Sequence, residues 1–233
     1  MKLAIIGNGA MGKLVRTLAE AGGHEVARVV TSEDAARGMD DLVEMLRGHD
    51  AAVDFSVAPA VVKNIEAAAR AGVPLVEGTT GWNAQEQEAR RLVAAHAGAL
   101  VYGANFSVGV NLFYRVAARA AELFAATDYA PFIEEAHHAR KRDAPSGTAL
   151  KLRDVLTAHL ARDIPVASTR AGHIPGTHRV GFDSAADQIT LTHTARTREG
   201  FASGALLAAR WIAGKRGVYE FSEVVDKIVT SDE

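Results

Sequence analysis

The sequence predicts an α/β chain, with an N-terminal parallel sheet wound with helices and then an α+β domain with a mixed or antiparallel sheet. Three observations carry that expectation. Over residues 1–107, short apolar runs alternate with helix-length amphipathic segments. A glycine-rich turn follows the first run. Past Ser107 the texture changes to one long Ala-rich helix and then to strand-like segments.

Residues 2–6 are a short apolar run ending in glycine, which reads as a buried parallel strand. From Met11 to Ala21, Leu14, Val15 and Leu18 share one helical face, and Gly22-Gly23 ends the helix. His24 to Val30 is the next strand, completing a βαβ unit. Ala51 to Ser56 is a strand, followed by Pro59 in the first turn of a helix that runs to Ala71. Val73 to Glu77 and Ala99 to Tyr102 are strands, with a helix from Asn83 to Ala97 between them. Val108 to Ala126 is the long helix. Strands are expected at 129–137, 166–171 and 189–195, with a helix from Ser146 to about Leu160. The segments 200–212 and 221–229 read as helices.

With 233 residues, 48% of them hydrophobic, the chain can build one large domain or two modest ones. The net charge of −2 and the mixing of acids and bases argue against a nucleic-acid partner. Aromatic residues at 6% leave little for a base-stacking surface. The absence of cysteine removes disulfides, thiolate catalysis and Cys-ligated metals, and fits a reducing, cytoplasmic setting. The N-terminal apolar run is too short for a signal-peptide core or a membrane span.

Gly7-Asn8-Gly9-Ala10-Met11-Gly12 fits G-x-G-x-x-G, placed between a strand and a helix. The first glycine allows a tight turn, the second lets the backbone approach a pyrophosphate, and the third lets helix and strand pack closely. The phosphates then sit at a helix N-terminus. This predicts a Rossmann-type dinucleotide site. The acid expected at the end of the second strand is missing, because that end reads Val29-Val30-Thr31-Ser32. Thr31 and Ser32 could serve a ribose hydroxyl or a 2′-phosphate, and no arginine stands at that strand end, so NADH and NADPH both stay open.

The densest chemistry lies between His137 and Thr148. Residues 137–142 hold five ionisable bases and no acid, and a helix is expected from Ser146. Cations beside fresh helix N–H groups suit carboxylates. Gly147 allows close approach and Thr148 adds a hydroxyl. A histidine there can pass a proton near neutral pH, and a lysine can supply positive charge or a proton. No metal is expected, since none of the nine histidines forms an H-x-x-x-H or H-E-x-x-H helical pair.

At these residues the chain resembles the 4-hydroxy-tetrahydrodipicolinate reductase (dihydrodipicolinate reductase) family over almost its whole length. Gly7 to Gly12, Gly78-Thr79-Thr80-Gly81, the run from Ala104 to Asn111, and Glu135-Ala136-His137-His138 through Ser146-Gly147-Thr148-Ala149 carry the likeness. Arg170-Ala171-Gly172 and Gly176-Thr177-His178 follow in the family's order. The resemblance implies NADH- or NADPH-dependent reduction of a cyclic imine dicarboxylate in lysine and diaminopimelate biosynthesis. It implies that His137 and Lys141 handle protons and that His138, Ser146, Gly147 and Thr148 hold substrate carboxylates. The implied cofactor contacts are Gly7, Asn8, Gly9, Ala10, Met11, Gly12, Thr31, Ser32, Gly78, Thr79, Thr80, Gly103, Ala104, Asn105 and Phe106. A homotetramer is implied, assembled through the second domain's sheet.

Thr31-Ser32 stands where family members that favour a phosphate often carry an acid–arginine pair, Ala10 where they often carry an arginine in the glycine turn, and His173 where many relatives place an acid. The expected division is a dinucleotide-binding domain at 1–107, a substrate-binding and oligomerisation domain at 108–204, and C-terminal helices at 205–233 that return to the first. An amino-acid dehydrogenase of the aspartate type, or a non-catalytic dinucleotide sensor, would share the glycine turn but would not require the Ser146-Gly147-Thr148 run.

Overall fold

Apolar residues at the start of the chain become β1 (Lys2–Ile6), buried from Leu3 onward. In this computed structural model residues 1–230 are described; residues 231–233 of the expected C-terminal segment lie outside them. After β1 come α1 (Ala10–Ala21), β2 (Glu25–Val30), the short α2 (Ser32–Ala35) and α3 (Met39–Leu46). Next are β3 (Ala51–Asp54), a 3₁₀ turn holding Pro59, α4 (Val61–Ala71) and β4 (Leu75–Glu77). Then follow α5 (Glu86–Ala95), β5 (Ala99–Tyr102) and α6 (Val108–Phe124). The chain continues through β6 (Ala130–His137), α7 (Gly147–Leu160), β7 (Val166–Arg170), β8 (Thr177–Asp183) and β9 (Gln188–Thr194). It ends with α8 (Glu199–Ile212), β10 (Gly217–Glu220) and α9 (Phe221–Thr230).

The chain divides into two units, Met1–Val108 together with the chain from Glu199 onward, and Gly109–Arg198. In the first, six parallel strands run in the order β10-β5-β4-β3-β1-β2. Helices cover both faces, so the strands are continuous apolar runs rather than alternating ones. Ala52, Leu75 and Leu100 pack with Ile65 and Ala68 of α4 and Val93 of α5. Because the strands are parallel, the turns after β1, β3, β4 and β5 rise from the same edge of the sheet, where ligands of such sheets bind.

The second unit has a four-stranded sheet in the order β7-β6-β8-β9. β6 and β7 are parallel and the other pairs antiparallel, so the sheet is mixed, as expected. Phe113, Ala117 and Ala121 of α6 pack with Ile133, Val180 and Phe182 of the sheet and with Leu152 and Leu156 of α7.

Four elements go beyond the sequence reading. α2 and α3 lie between Val30 and Ala51, where the sequence reading assigns no element. β8, central in its sheet, contains Gly181, a residue that weakens a strand pattern. The glycine is there because a Cβ would meet the Phe132 ring at 2.1 Å. β10 is only four residues long and adds to an edge. Among the described residues no helix is long and apolar enough to cross a membrane.

Candidate active site

Residues two apart on a strand face the same way, so Glu135 and His137 share one side of β6. The register places His178 of β8 opposite Glu135, and Arg170 of β7 opposite His137. These four side chains converge. Arg170 donates to both Glu135 oxygens, at 2.9 and 2.7 Å. The Ser146 N–H donates to Glu135 Oε1 at 3.2 Å, and His137 Nδ1 meets Glu135 Oε2. Ser146 Oγ pairs with His178 Nε2 at 3.0 Å and caps α7 by accepting from Ala149 N.

Burial pushes the Glu135 carboxyl up, but hydrogen bonds from Arg170, Ser168 and His137 outweigh it and hold the group at about 2. Burial lowers His178 to about 4, and repulsion from His137 in its protonated form adds to this. Burial also lowers His137, against the raising effect of Glu135, with Lys141 and Arg170 lowering it further. At neutral pH the cluster is therefore one ionised carboxylate, one guanidinium and two neutral imidazoles. Glu135 fixes the His137 proton on Nδ1 and leaves Nε2 as the acceptor.

Beyond His137 the chain turns through the basic segment. The Lys141 N–H donates to the His138 carbonyl at 3.0 Å, and Lys141 Nζ pairs with Asp143 Oδ1 at 2.9 Å. Arg140 and Arg142 are exposed. Gly147 opens α7, and a Cβ there would meet nothing within 4 Å. Thr148 is in hydrogen-bonding contact with Tyr114. The backbone therefore brings His137, His138, Lys141 and the start of α7 into one neighbourhood. Ser146 belongs to it, but its hydroxyl is engaged by His178 and by the cap.

In the first unit Gly7 has φ +97°, and a Cβ there would meet the Phe55 carbonyl oxygen at 2.6 Å. A Cβ on Gly12 would lie 2.0 Å from the Gly7 oxygen, whereas one on Gly9 would meet nothing within 4 Å. Gly9 is the N-cap of α1, with no side chain capping the helix. Turn, close packing and open approach thus fall on the three glycines as a pyrophosphate site requires, and Asn8, Ala10 and Met11 line the same turn. The loops after β4 and β5 bring Thr79, Thr80, Gly103 and Ala104 to one cavity of about 210 Å³. The Asn105 side chain accepts from Ser107 N. The Phe106 ring is buried against Phe221 and Phe55, so only its backbone faces that region.

Dihydrodipicolinate reductase family models match residues 1–106 (the N-terminal part) and 109–225 (the C-terminal part). A 4-hydroxy-tetrahydrodipicolinate reductase of Christiangramia forsetii is 33% identical over 241 residues, covering 98% of this chain and 99% of its own. The chain belongs to the dihydrodipicolinate reductase family. A second relative of that name, from Anaeromyxobacter sp., is 38% identical over 80% of this chain and 77% of its own. The fold is that of a dipicolinate-bound dihydrodipicolinate reductase from Paenisporosarcina sp., with TM-score 0.78 at 20% identity, covering 96% of this chain and 99% of that one. The family's reaction is the NADH- or NADPH-dependent reduction of 4-hydroxy-tetrahydrodipicolinate in lysine and diaminopimelate biosynthesis.

One sequence-based expectation needs correction at the end of β2. No arginine was expected there, yet Arg28 and Arg37 both reach Asp34 Oδ1, at 3.1 and 3.8 Å. They were missed because one lies within the strand and the other beyond α2. The Thr31 hydroxyl is engaged with Asp34 in a capping box, while Ser32 is exposed.

Glu135, His137 and His178 also bring one potential metal-ligand atom each within 4.8 Å of one another. They suit an ion poorly, because Arg170 occupies both Glu135 oxygens and adds its own positive charge. The residues that sequence reasoning gave no role are Glu135, Arg170 and His178. Their signal was the period of two from Glu135 to His137 and the presence of all three in the resembling motifs.

Proposed function

We propose that His137 and Lys141 are the proton-handling residues of this reductase, and that His138 and the start of α7 at Gly147 and Thr148 hold the substrate carboxylates. Gly7 to Gly12, Thr31, Ser32, Gly78 to Thr80 and Gly103 to Phe106 are assigned to the dinucleotide. The observation that carries the reading is the Glu135–His137 pair, a buried, ionised carboxylate fixing the tautomer of an imidazole beside a cationic turn.

A bound reduced nicotinamide supplies a hydride. The protein's tasks are to hold the dianionic ring, to stabilise the electron pair that moves to the ring nitrogen or the adjacent carbon, and to deliver a proton there. A lysine ammonium has protons to give. His137, held neutral by burial, has an acceptor nitrogen to orient the substrate or to relay the proton. Ser146 organises the carboxylate site by capping α7 and joining Glu135 to His178.

The reading includes a homotetramer formed through the second unit's sheet. Its support is β9, a seven-residue edge strand with Ile189 exposed. A reducing, cytoplasmic setting accords with the lack of cysteine.

The test is an assay on the aldol product of pyruvate and aspartate semialdehyde, following nicotinamide absorbance with NADH and NADPH at matched concentrations. His137→Gln and Lys141→Ala should each lower kcat by about 10²-fold or more while leaving dinucleotide affinity nearly unchanged. Near-normal turnover in both variants would remove the proton roles.

A further inference from the structure

Two more acids are buried in the first unit. Asp54 ends β3 and Glu77 ends β4, paired in register on adjacent parallel strands, and both are fully buried. Asp54 accepts the Ser56 N–H at 2.8 Å and the Asn64 amide at 2.7 Å. Glu77 Oε1 accepts the Thr79 N–H at 2.7 Å. Glu77 Oε2 meets no donor, while the two carboxyls lie in hydrogen-bonding contact with one another. Two ionised carboxylates in that position repel; a single proton between them turns the contact into a hydrogen bond.

The pair sits beneath the proposed dinucleotide loops. The Ser56 N–H also reaches Thr79 Oγ1, at 3.0 Å. The Phe55 carbonyl lies against Gly7, and its ring lies so close to Gly78 that a Cβ there would meet it at 2.2 Å. Glycine turn, Phe55-Ser56 segment and Gly78-Thr79 loop thus form one packed block whose backbone is tied by the two acids.

We propose that Asp54 and Glu77 share one proton and serve as positioning residues, setting the glycine turn and the Gly78–Thr80 loop for the dinucleotide. The inference rests on the assignment of those loops to the cofactor.

Burial lifts Glu77 well above the ordinary carboxylate range, and the neighbouring Asp54 lifts it further. Burial also raises Asp54, opposed by its bonds to Ser56, Asn64 and Glu77. With more donors on Asp54, the proton belongs on Glu77. The surrounding charged groups are engaged elsewhere. Lys63 of α4 donates to the carbonyls of Ala35 and Arg37, and Glu66 pairs with Arg70, which also holds Asp40 of α3. Tyr102, opposite Glu77 in β5, has its hydroxyl on Glu86 and Arg90 of α5. α8, packed on β3 and β4, carries its charges near its ends, at Glu199 and Arg210. No cation acts on either acid among the described residues.

Infrared spectroscopy and dinucleotide binding, the latter by nicotinamide fluorescence with NADH and NADPH, test the inference. Wild type should show the carbonyl band of a buried protonated carboxyl at pH 7, and Glu77→Gln should lack it. The Gln amide donates where the acid's proton did. Its Kd should therefore stay within about twofold of wild type at pH 7 and hold constant as pH is raised, while wild type weakens roughly tenfold as the proton leaves. Glu77→Ala, with folding checked by melting temperature, should bind roughly tenfold more weakly at pH 7. No protonated band in wild type, equal loss in the Gln and Ala variants, or the same alkaline weakening in Glu77→Gln as in wild type would overturn the inference. Gly9→Asp separates it from the assignment beneath: abolished binding supports the loop assignment. Unchanged binding there, with the infrared band still present, overturns that assignment and the positioning role with it.

Discussion

Arg170 grips both oxygens of Glu135 across two parallel strands, at 2.9 and 2.7 Å, and leaves Glu135 Oε2 to hold His137 Nδ1 as well. The guanidinium thus compensates the buried charge that fixes the imidazole. Arg170→Ala would strand that carboxylate, and removing one partner of a buried pair costs about 3–5 kcal/mol. The expected result is a loss of that order in unfolding free energy by denaturant titration near neutral pH. Since ionised Glu135 stabilises the fold above the ordinary carboxylate range, and that contribution is lost as pH falls toward about 2, the variant should also lose less stability on acidification than wild type.

Glu135→Gln keeps the shape but removes the charge and the preference for one His137 tautomer. Turnover should fall by about tenfold or more, with the KM for NADH nearly unchanged. A KM-only effect in steady-state kinetics would mean that Glu135 contributes to binding rather than to turnover.

His178 predicts a second acid sensitivity, of the same sign but at higher pH. Its pKa falls from the usual 6.5 to about 4 because burial disfavours the imidazolium. The unfolded chain therefore takes up a proton first as pH falls, and stability is lost between about pH 6.5 and 4, on the order of 3 kcal/mol from this group. His178→Gln should flatten that limb of the stability curve, read from denaturant midpoints across the interval.

Local pattern carried much of this. The apolar run before Gly7 and the glycine spacing were sufficient for the first βαβ unit, because a buried parallel strand and a tight turn each impose a strong composition. Ser146 announced the start of α7 because an N-cap is a local hydrogen bond. β8 stayed hidden because Gly181 answers to a ring on another strand, and no local pattern encodes the position of Phe132. The Asp54–Glu77 contact was invisible for a similar reason, since it exists only once β3 and β4 lie side by side. Arg28 and Arg37 were overlooked because they reach the end of β2 from six residues before Asp34 and three after it.

Those arginines bear on cofactor choice. Asp34 already draws both of them, and Ser32 lies exposed beside it. A carboxylate at Ser32 adds a charge that a 2′-phosphate meets and a 2′-hydroxyl does not. Ser32→Asp should weaken NADPH by about fivefold or more relative to NADH, consistent with about 1 kcal/mol between charges 4 Å apart in water. The check is the ratio of the two Kd values by fluorescence titration; an unchanged ratio would place the ribose elsewhere.

The Lys141–Asp143 pair leads to a prediction in which stability and function part. Lys141 Nζ lies 2.9 Å from Asp143 Oδ1, and Asp143 remains more than half exposed, so the pair should contribute about 0–1 kcal/mol to folding. Asp143 nevertheless occupies the ammonium with a carboxylate, the same kind of group the substrate brings. Asp143→Asn should therefore leave the melting temperature within a few degrees of wild type. It should lower the KM for the dicarboxylate by a few-fold, because substrate no longer competes with a residue of the chain. Steady-state kinetics at low ionic strength is the measurement, since added salt screens the difference. A raised KM would mean that Asp143 holds Lys141 in its working position rather than competing for it.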